Sequence, residues 1–118
     1  MTLDEYFQDF DASRPLFEAL RTAVESIGTV ELRVTISQIA FQRRKAFAWA
    51  WVPGKYLGGK AAPLVLTLAL TRRHPSSRWK EIVEPVPGRF THHLELRAAG
   101  DIDDEVQAWL QEAWLEAA

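Results

Sequence analysis

The spacing of apolar residues along the chain switches from helical to strand-like and back to helical. Thr2 with Glu5 three residues on has the spacing of a capping box, and Leu3, Tyr6, Phe7 and Phe10 follow at helical intervals, which predicts a short first helix. Ser13 and Pro15 open a second helix, since proline fits a first turn where its missing N–H costs nothing. Leu16, Leu20, Val24 and Ile27 form its apolar stripe, widened by Phe17, and Gly28 sits where a left-handed cap is expected. From Val30 the period becomes two. Val30, Leu32 and Val34 predict one strand and Ile39 and Phe41 a second, with Arg43-Arg44 as a tight connection to a third at Phe47, Trp49 and Trp51. Pro53-Gly54 and Gly58-Gly59 bracket a loop. Leu64, Leu66, Leu68 and Leu70 predict a fourth strand, and Phe90, His92, Leu94 and Leu96 a last one. Between these two, residues 72–88 hold three prolines and read as irregular, with an extended piece at Lys80–Glu84. The final helix carries Ile102, Val106, Trp109, Leu110, Ala113 and Ala117 on one broad face, with Asp101 or Asp103 as its cap.

Helices at both ends of a run of strands with short turns predict an α+β fold: a single antiparallel sheet of about five strands, with the N- and C-terminal helices packed on one face. The bulky valine, leucine, isoleucine, phenylalanine and tryptophan sets are expected beneath the helices, because a one-residue slip would expose all of them. The opposite face then carries Arg33, Gln38, Gln42, Arg44, His93, Glu95 and Arg97 around a floor of Ala46, Ala48, Ala50, Thr67 and Ala69.

A length of 118 residues suits one domain, residues 1–118. The absence of cysteine excludes disulfides and thiolate metal sites and suits a reducing compartment. No apolar run approaches the ~20 residues of a membrane helix, and the acidic start is unlike a signal peptide, so a cytoplasmic protein with no membrane partner is expected. The net charge of −2 conceals segregation. Residues 1–32 carry two Arg against seven acids, residues 33–97 twelve Lys and Arg against three Glu, and residues 98–118 six acids and no base. Such a distribution marks either an anion-binding surface or acidic helices neutralising a basic sheet. The second accounts for it more simply.

Candidate chemistry is sparse. His92-His93, with His74, invites a metal site, but adjacent strand residues point to opposite faces; His92 is expected in the core and His93 on the open face. Asp101, Asp103 and Asp104 begin like a calcium loop, but Val106 stands where that loop needs its glycine and Glu112, at position twelve, falls inside the expected helix, so they read as helix caps. Ser76, Ser77 and His74 share a loop without a nucleophile elbow and read as turn formers. Glu81 and Glu84 read as ion-pair partners of Arg78 and Lys80 rather than a catalytic carboxylate pair. Gly58-Gly59-Lys60 lacks the remainder of a phosphate loop. No metal and no cofactor is expected. Basic residues interleaved with aromatics, among them Arg43, Arg44, Lys45, Lys55, Tyr56, Arg72, Arg73, Arg78, Trp79, Lys80 and Arg89, could offer phosphate contacts with Trp79 and Tyr56 as stacking platforms, although a pI near 5.9 is low for a nucleic-acid binder.

Several segments together resemble one family. They are Ser37-Gln38-Ile39-Ala40-Phe41, Lys45-Ala46-Phe47-Ala48-Trp49, Ala62-Pro63-Leu64-Val65-Leu66, Arg78-Trp79-Lys80-Glu81 with Glu84-Pro85, and the stretch from His92-His93 through Asp101-Ile102-Asp103-Asp104-Glu105 to Ala108-Trp109-Leu110. The chain is similar over nearly its whole length to the bacterial domain-of-unknown-function 5655 family, and more distantly to YdhG-like α+β domains of frataxin-like shape. The resemblance implies a small bacterial α+β domain and brings no activity or catalytic residues. Relatives standing beside nuclease-like domains add a nucleic-acid context.

The expectation from the residues is a small non-catalytic binding or interaction module. It uses the open sheet face and the 72–88 loop for an anionic ligand, a protein or a nucleic acid, with Arg33, Arg44, Arg78, Trp79, Lys80, His93 and Arg97 as contacts. The competing class is an enzyme acting on a small anionic substrate, with His93 as general base and Glu95 as its orienter. A third reading makes the alanine and threonine floor a homodimer contact.

Overall fold

The structure is a computed structural model that describes residues 1–56 and 61–118; Gly58, Gly59 and Lys60 of the expected loop lie outside the described residues. Local signals start the first and last helices as expected. In α1, Leu3–Tyr6, the Thr2 hydroxyl accepts from the Glu5 N–H at 3.1 Å and the Glu5 carboxylate accepts from the Thr2 N–H at 3.0 Å. In α3, Asp104–Glu116, the Asp103 carboxylate accepts from the Val106 N–H, while Asp101 accepts from the N–H groups of Arg97 and Ala98 just upstream. The middle helix, α2, Ser13–Glu25, buries Leu16, Phe17, Leu20 and Val24. Ser13 does not cap it; its buried hydroxyl donates to the Pro63 carbonyl at 2.7 Å.

Gly28 is likewise not a left-handed cap. Among the described glycines only Gly88, in the last hairpin, has a positive φ, of 79°. A Cβ at Gly28 would lie 2.4 Å from the Trp114 ring, so the residue is small because α3 passes close by.

Six strands form one antiparallel sheet: β1 Glu31–Val34, β2 Ile39–Gln42, β3 Ala46–Trp51, β4 Leu64–Leu70, β5 Glu81–Val86 and β6 Arg89–Leu96, in the order β1-β2-β3-β4-β6-β5. The sixth strand, β5, grows from the extended piece expected at Lys80–Glu84. Its pairing with β6 shifts register between Val83 and Val86, around Pro85, which cannot donate to a ladder and is tolerated on an edge strand. Both α2 and α3 pack on one face of the sheet, α3 over β3 and β4 and α2 beside it on β4. Among the described residues, no helix is long and apolar enough to cross a membrane.

The expected register holds for β1, β2, β4 and β6 and fails in β3. Phe41 pairs with Ala48 while the next residue, Gln42, pairs with Ala46, so Phe47 is an extra residue in its strand. A bulge of this kind moves every later side chain to the other face. Phe47 and Ala48 are both buried, Ala50 follows on the helix side, and Trp49 and Trp51 turn outward, half-buried, beside Thr67 and Val65. The open-face floor therefore lacks Ala48 and Ala50 and gains two indoles. Outward placement also suits the chemistry of tryptophan. The Trp51 indole N–H donates to the Thr67 hydroxyl at 3.0 Å, whereas an indole N–H turned into an aliphatic core would lack an acceptor.

Candidate ligand-binding cleft on the open sheet face

Alternation along β6 sends His92, Leu94 and Leu96 under the helices and His93 and Glu95 to the open face. Cross-strand pairing brings Thr67 of β4 and Glu81 of β5 beside His93, and Val65 of β4 beside Glu95. Lys80 immediately precedes β5, and its backbone N–H donates to the His93 carbonyl at 2.8 Å. Arg97 immediately follows β6. With Trp51, Pro53 and Ala61 these residues line a cleft of about 440 Å³, within the volume range of small-molecule sites. Trp51, Val65, Pro53 and Ala61 form apolar walls; Lys80, Glu81, His93, Glu95 and Arg97 supply the polar groups.

A short hydrogen-bond chain fixes the histidine. The Trp51 indole can only donate, so Thr67 Oγ1 accepts from it and has its own proton to give. Thr67 Oγ1 also hydrogen-bonds His93 Nδ1, 2.8 Å away, and the ring tautomer decides which of the two atoms donates. In the tautomer where Nδ1 accepts, the neutral ring carries its proton on Nε2. Burial holds His93 below its ordinary value and keeps it neutral near pH 7, against the opposing pull of Glu81. The Trp51 ring meets the imidazole edge-on at 6.3 Å. Lys80 Nζ and Arg97 Nη2 both approach Glu95 Oε2, at 3.2 and 3.7 Å.

The expected contact residues divide sharply. Lys80, His93 and Arg97 converge on the cleft, together with Glu95. Arg33 faces the open side, but its strand is separated from β6 by three others, a distance of about 19 Å at ordinary strand spacing. Arg44 sits in the β2–β3 turn, where its N–H donates to the Ala117 carbonyl at the end of α3. Arg78 is an internal clamp: its guanidinium donates to Asp103 and Glu105 and to the Asp101 carbonyl. Trp79 is 8% exposed and packs on Trp109 with ring centroids 4.3 Å apart, so it cannot be a stacking platform for a base. The ion pairs expected of Glu81 and Glu84 are also replaced. Arg78 pairs with α3 and Lys80 with Glu95, while Glu84 accepts from the Gly88 N–H in the hairpin turn.

The orienting role expected of Glu95 belongs to Thr67. Two wall residues were hidden from sequence reasoning, Trp51 by the bulge and Val65 by its place among alternating leucines. Thr67 stood in the expected floor without a role. Glu81 was legible only as a loop charge until β5 placed it opposite His93.

On the helix side, the other two histidines organise the 71–80 loop. The His74 N–H donates to His92 Nε2 at 3.0 Å, and His74 Nδ1 accepts from the Ser76 N–H and from the Trp79 indole. Ser76 Oγ accepts from the Arg78 N–H at 3.1 Å, a turn-forming role. Burial lowers the proton affinity of both histidines.

No curated protein and no solved structure matches the chain at a significant level. A family model described as Domain of unknown function (DUF5655) matches residues 3–116, almost the entire length over which this sheet, its helices and its cleft are built, and the chain belongs to that family.

Proposed function

We propose that the protein is a non-catalytic binding module whose open-face cleft takes a small ligand, or a partner's side chain, that carries an anionic group on an apolar body. The observation that carries this reading is the Trp51–Thr67–His93 chain. We take the Thr67 hydroxyl as the donor to His93 Nδ1, which makes the imidazole a fixed N–H donor in a cleft where Lys80 and Arg97 supply two further donors around one carboxylate. Donors held ready over apolar walls suit recognition of an acceptor group. A general base, in contrast, needs a free lone pair on the atom that faces its substrate. The enzyme reading draws on the meeting of His93, Glu95 and Arg97 in one cleft, but Glu95 is engaged by two cations and Nδ1 by a hydroxyl. The nucleic-acid reading loses one of its two stacking residues, Trp79, and a phosphate contact in Arg78, and keeps the exposed Tyr56.

Titration of the ¹⁵N-labelled full chain with phenylacetate tests the proposal. The His93 ring and Trp51 indole signals should shift together in a saturable way, and the combined Lys80→Ala, Arg97→Ala substitution should abolish saturation. Shifts absent from both residues, or unaffected by that double substitution, would overturn it.

A further inference from the structure

The arrangement of charge in this cleft narrows the ligand further. At one end Lys80 and Arg97 share the single carboxylate of Glu95, which leaves one positive charge in excess. At the other end Glu81 stands opposite His93, a neutral ring, and no described cation forms an ion pair with it. The cleft is thus neutral in sum and polar end to end, with a positive pole at the Glu95 rung and a negative pole at the His93 rung. A purely anionic ligand would satisfy the first pole and be repelled by the second. A ligand charged at both ends satisfies both.

The separation of the poles sets its length. The two rungs lie two residues apart along β6, a step of about 6.7 Å. Two extended residues of peptide span at most about 7 Å, whereas a free α-amino acid carries both charges on one Cα and cannot reach both ends. Val65 and Trp51 lie on the Glu95 rung, and the Trp51 indole reaches across to Thr67 on the His93 rung, so its apolar surface bridges the two. We propose that the cleft takes a short zwitterionic peptide of dipeptide length, with its ammonium at Glu81, its carboxylate at Lys80 and Arg97, and an apolar side chain against Trp51 and Val65. This rests on the cleft being a binding site at all, and it adds the second charge and the length.

Calorimetric titration of the full chain with the dipeptide Ala-Phe, its N-acetyl form, its C-terminal amide and free phenylalanine separates the two claims. Ala-Phe should bind best, and each of the other three should bind about tenfold more weakly or worse, as expected for loss of one charge-assisted contact. Glu81→Gln, an exposed site where folding is not at stake, should bring Ala-Phe and N-acetyl-Ala-Phe to within about twofold of each other, by weakening Ala-Phe and by relieving the repulsion that the acetylated anion meets at Glu81. If N-acetyl-Ala-Phe binds the unsubstituted chain as tightly as Ala-Phe, the zwitterion proposal is overturned and the anion-binding cleft stands. The same holds if phenylacetate saturates the cleft and no dipeptide does. If neither phenylacetate nor any of these peptides binds, both fall.

Discussion

His92 and His93 are consecutive on one strand and live in different chemistry. His92 points under the helices, is fully buried, and accepts the His74 N–H; among the described residues its Nδ1 has no hydrogen-bond partner. It lies among Trp79, Trp109 and His74 and helps to seat a loop. His93 points to the open face, where Thr67 hydrogen-bonds it and it lines an open cleft. The pleat alone separates them. The comparison teaches that one face of this sheet turns most of its polar groups toward one another, while the other leaves donors and acceptors exposed in an open cleft.

The largest expected contrast between the two faces is in the tryptophans. Trp79→Ala removes a ring packed between Trp109 and His92 and should cost about 3–5 kcal/mol, read as a lowered urea midpoint. Trp51→Ala, on a half-buried open-face residue, should cost about 1–2 kcal/mol and abolish ligand-dependent shifts at His93. Equal losses from the two substitutions would erase the distinction between a structural and a binding face.

Acidification should separate the faces next. His74, His92 and His93 all have proton affinities lowered by burial from an ordinary 6.5. Above that value both folded and unfolded chains hold these rings neutral, and no stability depends on their titration. As pH falls through it, the unfolded chain takes up protons that the folded chain refuses, so stability declines toward the depressed folded-state values. The decline is at most about 1.4 kcal/mol per pH unit for each ring. Urea midpoints measured between pH 7.5 and 5 should fall, and His92→Gln should flatten that fall more than His93→Gln does. A midpoint independent of pH over this range would contradict the buried, neutral state of His92.

The smallest effect belongs to the hydroxyl that orients His93. Thr67→Val keeps the shape and should cost about 1 kcal/mol. It should also release the ring from its Nε2–H tautomer, visible as a change in the imidazole ¹⁵N shifts. An unchanged tautomer would mean that Thr67 does not set it.

Much of this was legible in the chain. The Thr2–Glu5 box, the Leu16–Val24 stripe, the leucine alternation of β4 and the opposite placement of His92 and His93 depend on residues near one another in sequence, and local geometry settles them. The face of Trp49 and Trp51 was not legible. It turns on one extra residue at Phe47, which is visible only when β2 is laid against β3. The roles of Arg78 and Trp79 were misjudged for a similar reason. A basic–aromatic pair on a loop has the composition of a binding site, and only the arrival of α3 and its cap, 25 to 30 residues later in sequence, supplied the carboxylates and the indole that consume it.

What the sequence determined by itself is therefore the periodic part of this protein: the helices and, β5 apart, the strands, and that the sheet is antiparallel with its helices on one side. The tertiary structure decided which polar residues are spent on the fold and which are left over. Periodicity is a property of neighbours along the chain, but whether a charge or a ring is satisfied depends on partners that only packing brings within reach.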